Sequence, residues 1–171
     1  ILGSEARRTN DLDLSGTDGD VPDDVVLYSG TQEQEYAGWA VDAGDFDADG
    51  IDDIMIGNNW SSHEGRPNAG KVYLLPGWVD EGDGPVGQNV LLNDEAEALT
   101  ILAADGNDQL GKSLDFGDYN LDGIPDAAMT ALFADNPKLS PGNDTGAAYI
   151  LYGQPRWMTL PGFGAARFFA M

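Results

Sequence analysis

The passages "YAGWAVDAGDFDADGIDDIMIG" (36–57) and "QLGKSLDFGDYNLDGIPDAAMT" (109–130) align without a gap. Gly38 falls on Gly111, Asp45 on Asp118, Asp49 on Asp122, Gly50 on Gly123, Ile51 on Ile124 and Asp53 on Asp126. The offset is constant, 118 − 45 = 73 residues. The match continues on both sides. Downstream, "AGKVYLLPG" (69–77) meets "TGAAYILYG" (145–153) at an offset of 76, with Tyr73 on Tyr149 and Gly77 on Gly153. Upstream, "VVLYSG" (25–30) meets "LTILAA" (99–104) at an offset of 74. An acidic chain can produce one aspartate-rich run by chance, but chance does not also copy the flanks. The chain therefore holds a unit of about 73 residues twice.

Within each unit the apolar runs are short, rich in β-branched and aromatic residues, and bounded by Gly, Asn, Asp and Pro. They predict strands at 25–29, 38–44, 53–57 and 70–75, then at 98–103, 111–117, 126–131 and 147–152. No stretch sustains a 3.6-residue period. The best helical candidate is "LLNDEAEALTIL" (91–102), and a strand match claims its end. Four short strands repeated at a fixed period predict an all-β chain of β-propeller blades, each a four-stranded antiparallel sheet. The expected organisation is an acidic leader at 1–23, a first repeat at 24–96 and a second at 97–171.

Lys plus Arg number 8 against 30 Asp plus Glu, a formal net charge of −22. Such a surface repels phosphate, which argues against nucleic acid and anionic membranes and leaves cations attractive. Salt-adapted solubility is the plainer explanation of part of the excess. The chain has no cysteine, so disulfides, thiol catalysis and thiolate metal sites are excluded. No apolar run approaches the roughly 20 residues of a membrane helix. The opening "ILGSEARRTN" reads as an internal start.

The repeated loops explain where the charge is concentrated. In the first, carboxylates stand at positions 1, 3, 5 and 9: Asp45, Asp47, Asp49 and Asp53. In the second the same positions hold Asp118, Asn120, Asp122 and Asp126. Alternate spacing in a tight turn aims side chains 1, 3 and 5 at one point. Position 6 is Gly50 or Gly123, where a sharp bend costs glycine least. Position 7, Ile51 or Ile124, can offer a backbone carbonyl while its side chain turns inward. Position 9 closes the cage. A flexible set of hard oxygen ligands suits Ca²⁺ better than Mg²⁺. His63 is the single histidine, which leaves little for zinc or iron. The helix–loop–helix calcium hand needs Glu at position 12, and here position 12 is Ile56 or Met129.

A glycine, a short strand, D-x-D-x-D-G-x-x-D, an apolar strand and a later G-x-x-Y-x-x-x-G strand together resemble the FG-GAP repeat. The resemblance covers roughly 24–171. It implies the propeller of integrin α-subunits and of relatives in bacterial secreted proteins. It also implies Ca²⁺ in two sites, ligated by Asp45, Asp47, Asp49, Ile51 and Asp53 and by Asp118, Asn120, Asp122, Ile124 and Asp126. Extracellular adhesion or recognition, on a surface away from the metal sites, follows from the same resemblance. The family's "FG" phenylalanine is Ala37 in one copy and Leu110 in the other, and "GAP" becomes "GNN" (57–59) and "TAL" (130–132).

The leader "NDLDLSGTDGDVPDD" (10–24) is a candidate third calcium loop through Asp11, Asp13 and Ser15, with an acidic connector as the plainer reading. Trp39 falls inside an expected strand and is assigned to the core. Trp60 and Trp78, near loop ends, are the candidates for stacking on a sugar. His63 is expected to be solvated in a polar hairpin loop. No nucleophile elbow or free acid pair supports catalysis. The expected function is a non-enzymatic, calcium-binding, extracellular β-propeller module that binds a protein. The alternative is a carbohydrate-binding propeller, or the accessory propeller of a secreted hydrolase. Two blades cannot close a ring that typically needs about 4–8. Self-association, or further blades from a longer chain, is therefore expected.

Overall fold

A computed structural model describes residues 25–78, 89–92, 99–136, 138–139, 142–155 and 167–169. The leader and its candidate third loop lie outside these residues. Ten strands run in order: β1 Leu27–Ser29, β2 Ala40–Gly44, β3 Asp53–Asn58, β4 Lys71–Leu75, β5 Asn89–Leu91, β6 Leu99–Leu102, β7 Leu110–Gly117, β8 Asp126–Ala131, β9 Ala147–Leu151 and β10 Arg167–Phe169. The described residues contain no helix. The helical candidate at 91–102 ends in β5 on one side and forms β6 on the other, and 93–98 lie outside the described residues. No described helix is long and apolar enough to cross a membrane.

Strands β2, β3, β4 and β6 form an antiparallel meander, with β10 added in parallel beside β6. Strands β7, β8 and β9 form a second antiparallel sheet. The pairings Ala43↔Ile54 and Phe116↔Ala127 are equivalent under the 73-residue offset, so the two hairpins share one register beside the acidic loops; the second shifts between Leu110 and Leu114. A short parallel ribbon joins β1 to β5. The described residues are thus all-β, mostly in antiparallel sheets as expected of propeller blades, and the described sheets do not close a ring. The sequence repeat and the sheet differ in phase by one strand. β6 opens the second repeat in sequence yet hydrogen-bonds to β4 on the outer side of the first sheet.

Alternation along the strands sorts side chains onto two cores. Met55, Val72, Leu74, Leu99 and Ile101 form the first sheet's front, which packs against Leu110, Ala127, Met129, Ala131, Leu114 and Phe116 of the second. Ile54, Ile56, Tyr73 and Leu75 form its rear, covered by Tyr28 and Leu92 beside the ribbon. Because both faces are covered, every residue of β4 is buried. At its edge the first sheet meets the second through a polar contact, the Phe116 N–H donating to Asp42 Oδ2 at 2.6 Å, and the Leu110 N–H of β7 donates to the Ala69 carbonyl at 2.9 Å just ahead of β4.

Two expectations are overturned. Trp39 is not in the core but 53% exposed, because β2 begins one residue after it. His63 is buried rather than solvated. Its loop closes on itself through His63–Arg66 backbone bonds of 3.2 and 2.7 Å. Gln32 caps the loop, its amide donating to the Ser62 carbonyl at 2.9 Å and its Oε1 accepting the Ser62 N–H at 3.0 Å.

Candidate metal centre

The β2–β3 and β7–β8 connections are built alike, residue by residue. Asp45 accepts the N–H groups of Asp49 and Gly50 at 3.0 and 3.1 Å, one on each carboxylate oxygen. Asp118 accepts those of Asp122 and Gly123 at 3.0 and 2.9 Å. Asp49 and Asp122 in turn accept the N–H groups of Ile51 and Ile124, at 2.8 and 2.9 Å. Position 1 thus winds the turn and position 5 closes it. Left-handed backbone at Gly50 (φ 92°) and Gly123 (φ 91°) lets the chain reverse where the expectation placed glycine. Ala48 (φ 57°) and Leu121 (φ 64°) are also left-handed, which neither residue type signals.

Oxygens of Asp45, Asp47 and Asp49 lie within 4.8 Å of one another. Asp53 is not part of this group. It is buried, and its two oxygens clamp backbone: Oδ2 accepts the Phe46 N–H at 2.9 Å and Oδ1 the Gly77 N–H at 2.8 Å. Asp126 repeats the clamp on Tyr119 at 2.9 Å and Gly153 at 3.0 Å. In the second loop Asp118 and Asn120 both meet the Asp122 N–H, and the Asn120 amide donates to Asp122 Oδ2 at 2.9 Å. The side chains of Ile51 and Ile124 lie against Gly77 and Gly153.

Burial pushes the Asp53 carboxyl up to about 6. The two backbone N–H bonds pull the other way, and the charges of Asp47 and Asp49 add to the rise. The first loop therefore concentrates negative charge and nothing but oxygen ligands at one turn. That donor chemistry fits a hard divalent cation such as Ca²⁺ and fits a soft one poorly.

The far ends of the β2–β3 hairpin carry a different surface. Tyr36 sits edge-on to both Trp39 and Trp60, with ring centroids 6.2 Å apart in each pair. All three rings are exposed, and the Lys112 ammonium lies 4.9 Å from the Trp39 ring centroid. Trp78 is half-buried and stands apart from this group. Sequence pattern singles out Trp60; it misses Trp39 because the expected strand begins at 38, two residues before β2, and Tyr36 because nothing in the local pattern marks it.

Comparison with known proteins agrees with this architecture. The FG-GAP repeat model matches residues 37–75, which hold β2, the first acidic loop, β3 and β4. A phosphatidylinositol-glycan-specific phospholipase D from Bos taurus is 34% identical over 117 residues, 68% of this chain and 13% of that protein. Integrin alpha-5 from Xenopus laevis is 29% identical over 150 residues, 83% of this chain and 12% of the integrin. Integrin alpha-PS2 from Drosophila melanogaster is 31% identical over 139 residues, 77% of this chain and 9% of that protein. The chain thus spans about an eighth or less of each of these relatives. Strand order, the repeated loop and these likenesses place the chain in the FG-GAP repeat family.

Proposed function

We propose that this chain is a calcium-stabilised β-propeller module for recognition outside the cell, with no catalysis of its own. The convergence of Asp45, Asp47 and Asp49 in a loop whose hydrogen bonds recur in the second repeat carries this reading. Asp45, Asp47 and Asp49 would hold the first ion, and Asp118, Asn120 and Asp122 the second. A bound cation would neutralise the carboxylate repulsion that otherwise opposes each turn. Asp53 and Asp126 serve behind the ions, fastening each loop to the strand that follows. Outside the cell, millimolar calcium would fill such sites even at the weak affinities of extracellular modules. The likeness to phospholipase D covers 13% of that enzyme, which supports a module carried beside a catalytic part.

Calorimetric titration with Ca²⁺ tests the metal reading: two sites are expected, and no heat above the dilution blank would refute it. The recognition surface is assigned to Tyr36, Trp39 and Trp60, at the end of the hairpin away from the acidic loop. Exposed, clustered rings also favour a second reading, a carbohydrate-binding propeller, since sugars stack on such faces. Binding to glycan and matrix-protein arrays separates the two. Trp60→Ala should abolish whichever signal is present, and Trp78→Ala should leave it intact.

A further inference from the structure

The two repeats build the same turn and decorate it differently. Ahead of β2, Gln34 and Tyr36 are left-handed at φ 61° and 54°; ahead of β7, Asn107 and Gln109 repeat this at 69° and 54°. Glu35 and Asp108 cap the two turns alike, accepting the N–H groups of Gln32 and Asp105 at 3.0 Å each. The Trp60 and Phe133 N–H groups donate to the carbonyls of Glu35 and Asp108 at 3.4 and 3.2 Å. On this shared frame Tyr36 corresponds to Gln109, Trp39 to Lys112 and Trp60 to Phe133. Gln109 is buried, whereas Tyr36 is 52% exposed. A left-handed backbone is costly for a bulky residue, and such residues gather at binding sites. The second repeat forms the turn with Gln109 and Lys112, so the fold does not require the exposed rings of Tyr36 and Trp39.

The rings form a stripe, with Tyr36 in the middle and an indole 6.2 Å away on either side. Lys112 stands at the Trp39 end, its ammonium 4.9 Å from that ring centroid. Lys plus Arg number 8 against 30 Asp plus Glu. Even so, Lys112 forms no ion pair among the described residues. A cation kept clear of carboxylates in so acidic a chain, at the end of an exposed aromatic stripe, is complementary to an anionic group on a stacking ligand.

We infer that this stripe takes an acidic saccharide, a chain of sugar rings bearing carboxylates. The inference rests on the assignment of recognition to Tyr36, Trp39 and Trp60, and names the ligand class of that surface. The C–H face of a pyranose ring is apolar and weakly positive, which matches the negative face of an indole or phenol ring. A line of three rings suits successive sugars, and Lys112 takes the carboxylate of the sugar over Trp39. An acidic peptide would meet the ammonium but has no repeating flat face for the stripe. The net charge of −22 opposes a polyanion at long range. At about 0.15 M salt that field fades within about 8 Å, so the pair at Lys112 and the stacking on the rings decide binding.

Calorimetric titration of the intact chain, in about 1 mM Ca²⁺ and about 0.15 M salt, tests this. The probes are a hexasaccharide of alternating glucuronate and N-acetylglucosamine and a hexasaccharide of mannuronate, each beside its form with the carboxyls reduced to alcohols. At least one acidic probe should bind about fivefold tighter than its reduced form, the range of an exposed ion pair. Lys112→Gln should remove that preference and leave the reduced form's affinity unchanged. Trp60→Ala should abolish binding of both forms while keeping the wild-type melting curve. Equal affinity for acidic and reduced forms, or a preference that survives Lys112→Gln, overturns the acidic class and leaves the ring surface standing. Saccharide binding that survives Trp60→Ala overturns the ring assignment itself. A chain that binds neither acidic hexasaccharide, or binds an oligoglutamate peptide more tightly than both, overturns the inference as well. Matrix-protein binding that is lost in Trp60→Ala would then assign the rings to a protein.

Discussion

The Gly77 N–H donates to Asp53 Oδ1 at 2.8 Å, and the same bond joins Gly153 to Asp126 at 3.0 Å. Each ties the end of a strand to the last carboxylate of an acidic loop. The approach is too close for a side chain. A Cβ at Gly77 would lie 2.5 Å from the Asp52 carbonyl oxygen and 2.6 Å from Ile51 Cγ2. At Gly153 it would lie 2.3 Å from the Pro125 carbonyl oxygen. Gly77→Ala is therefore expected to destabilise the chain by about 1–3 kcal/mol, the usual range for overpacking. It should also weaken calcium at the first loop, because the strand must move off the clamp. Urea denaturation checks the first effect and calorimetry the second.

If each site binds with a Kd on the order of 10⁻⁵ M, free Ca²⁺ at about 1 mM adds roughly 2.7 kcal/mol per site. In a domain of this size that is roughly 5–10 °C of melting temperature. Chelation should remove it, and Mg²⁺, which demands a tighter octahedron, should restore only part. A thermal melt that chelator leaves unmoved would exclude calcium from the stability of this fold.

The loops are not expected to bind equally. In the second, Asn120 replaces a carboxylate and its amide donates to Asp122 Oδ2, so that oxygen is already engaged. The first loop offers one more charge at the converging point. Asp49→Ala should therefore abolish the tighter of two calorimetric transitions, and Asp122→Ala the weaker. Equal affinities in the wild type would contradict the ranking.

Strand positions, the repeated loop and its glycine turn were legible because a copied 73-residue pattern carries period-2 alternation and turn chemistry together. The expected strands at 53–57 and 126–131 lie within a residue of β3 and β8. What the sequence hid was tertiary. That β6 joins the first sheet depends on which edge is open, and no local pattern records this. Asp53 and Asp126 share residue type and spacing with the converging carboxylates, so their burial behind the loop shows only once β4 and β9 are in place. Trp39 was misassigned because β2 begins after it, and strand ends are set by partners rather than by propensity.

Asp108 gives a pH dependence separate from the calcium loops. It is buried at the edge of a 490 Å³ cleft, beside Asp105 and Asp135. Burial raises its carboxyl above the ordinary range, the Asp105 N–H bond at 3.0 Å offsets part of this, and the charges of Asp105, Asp135 and Asp144 add to it. A raised native value means that the folded chain binds this proton more tightly than the unfolded one. No penalty exists below the unfolded aspartate range. It develops as pH rises through the native value and is complete above it. Asp108→Asn keeps an oxygen for the Asp105 N–H and removes the charge. The variant should be more stable than wild type near neutrality, with the gap closing in acid. Urea midpoints along a pH series check this, and a gap that is constant with pH would refute it.

The bond between Asp42 and Phe116 is expected to hold the two sheets in register. The Phe116 N–H lies on the edge strand of the second sheet, where no neighbouring strand among the described residues accepts it, and Asp42 Oδ2 reaches it from the first sheet at 2.6 Å. Behind it the Phe46 and Phe116 rings pack with centroids 6.3 Å apart. Asp42→Ala leaves that donor without its acceptor at the joint and is expected to cost about 1–3 kcal/mol. Asp42→Asn keeps an oxygen acceptor and loses only the charge, so it should recover most of the loss. The two sheets share the core around Met55, Leu74, Met129 and Phe116. Loosening their joint should therefore expose Phe116 to solvent before either sheet melts. Urea unfolding followed in parallel by near-ultraviolet and far-ultraviolet circular dichroism reads this directly. In Asp42→Ala the aromatic signal should fall at a lower urea concentration than the sheet signal, whereas in wild type the two should coincide. Coincident transitions in Asp42→Ala, at an unchanged midpoint, would show that the bond contributes nothing to the joint.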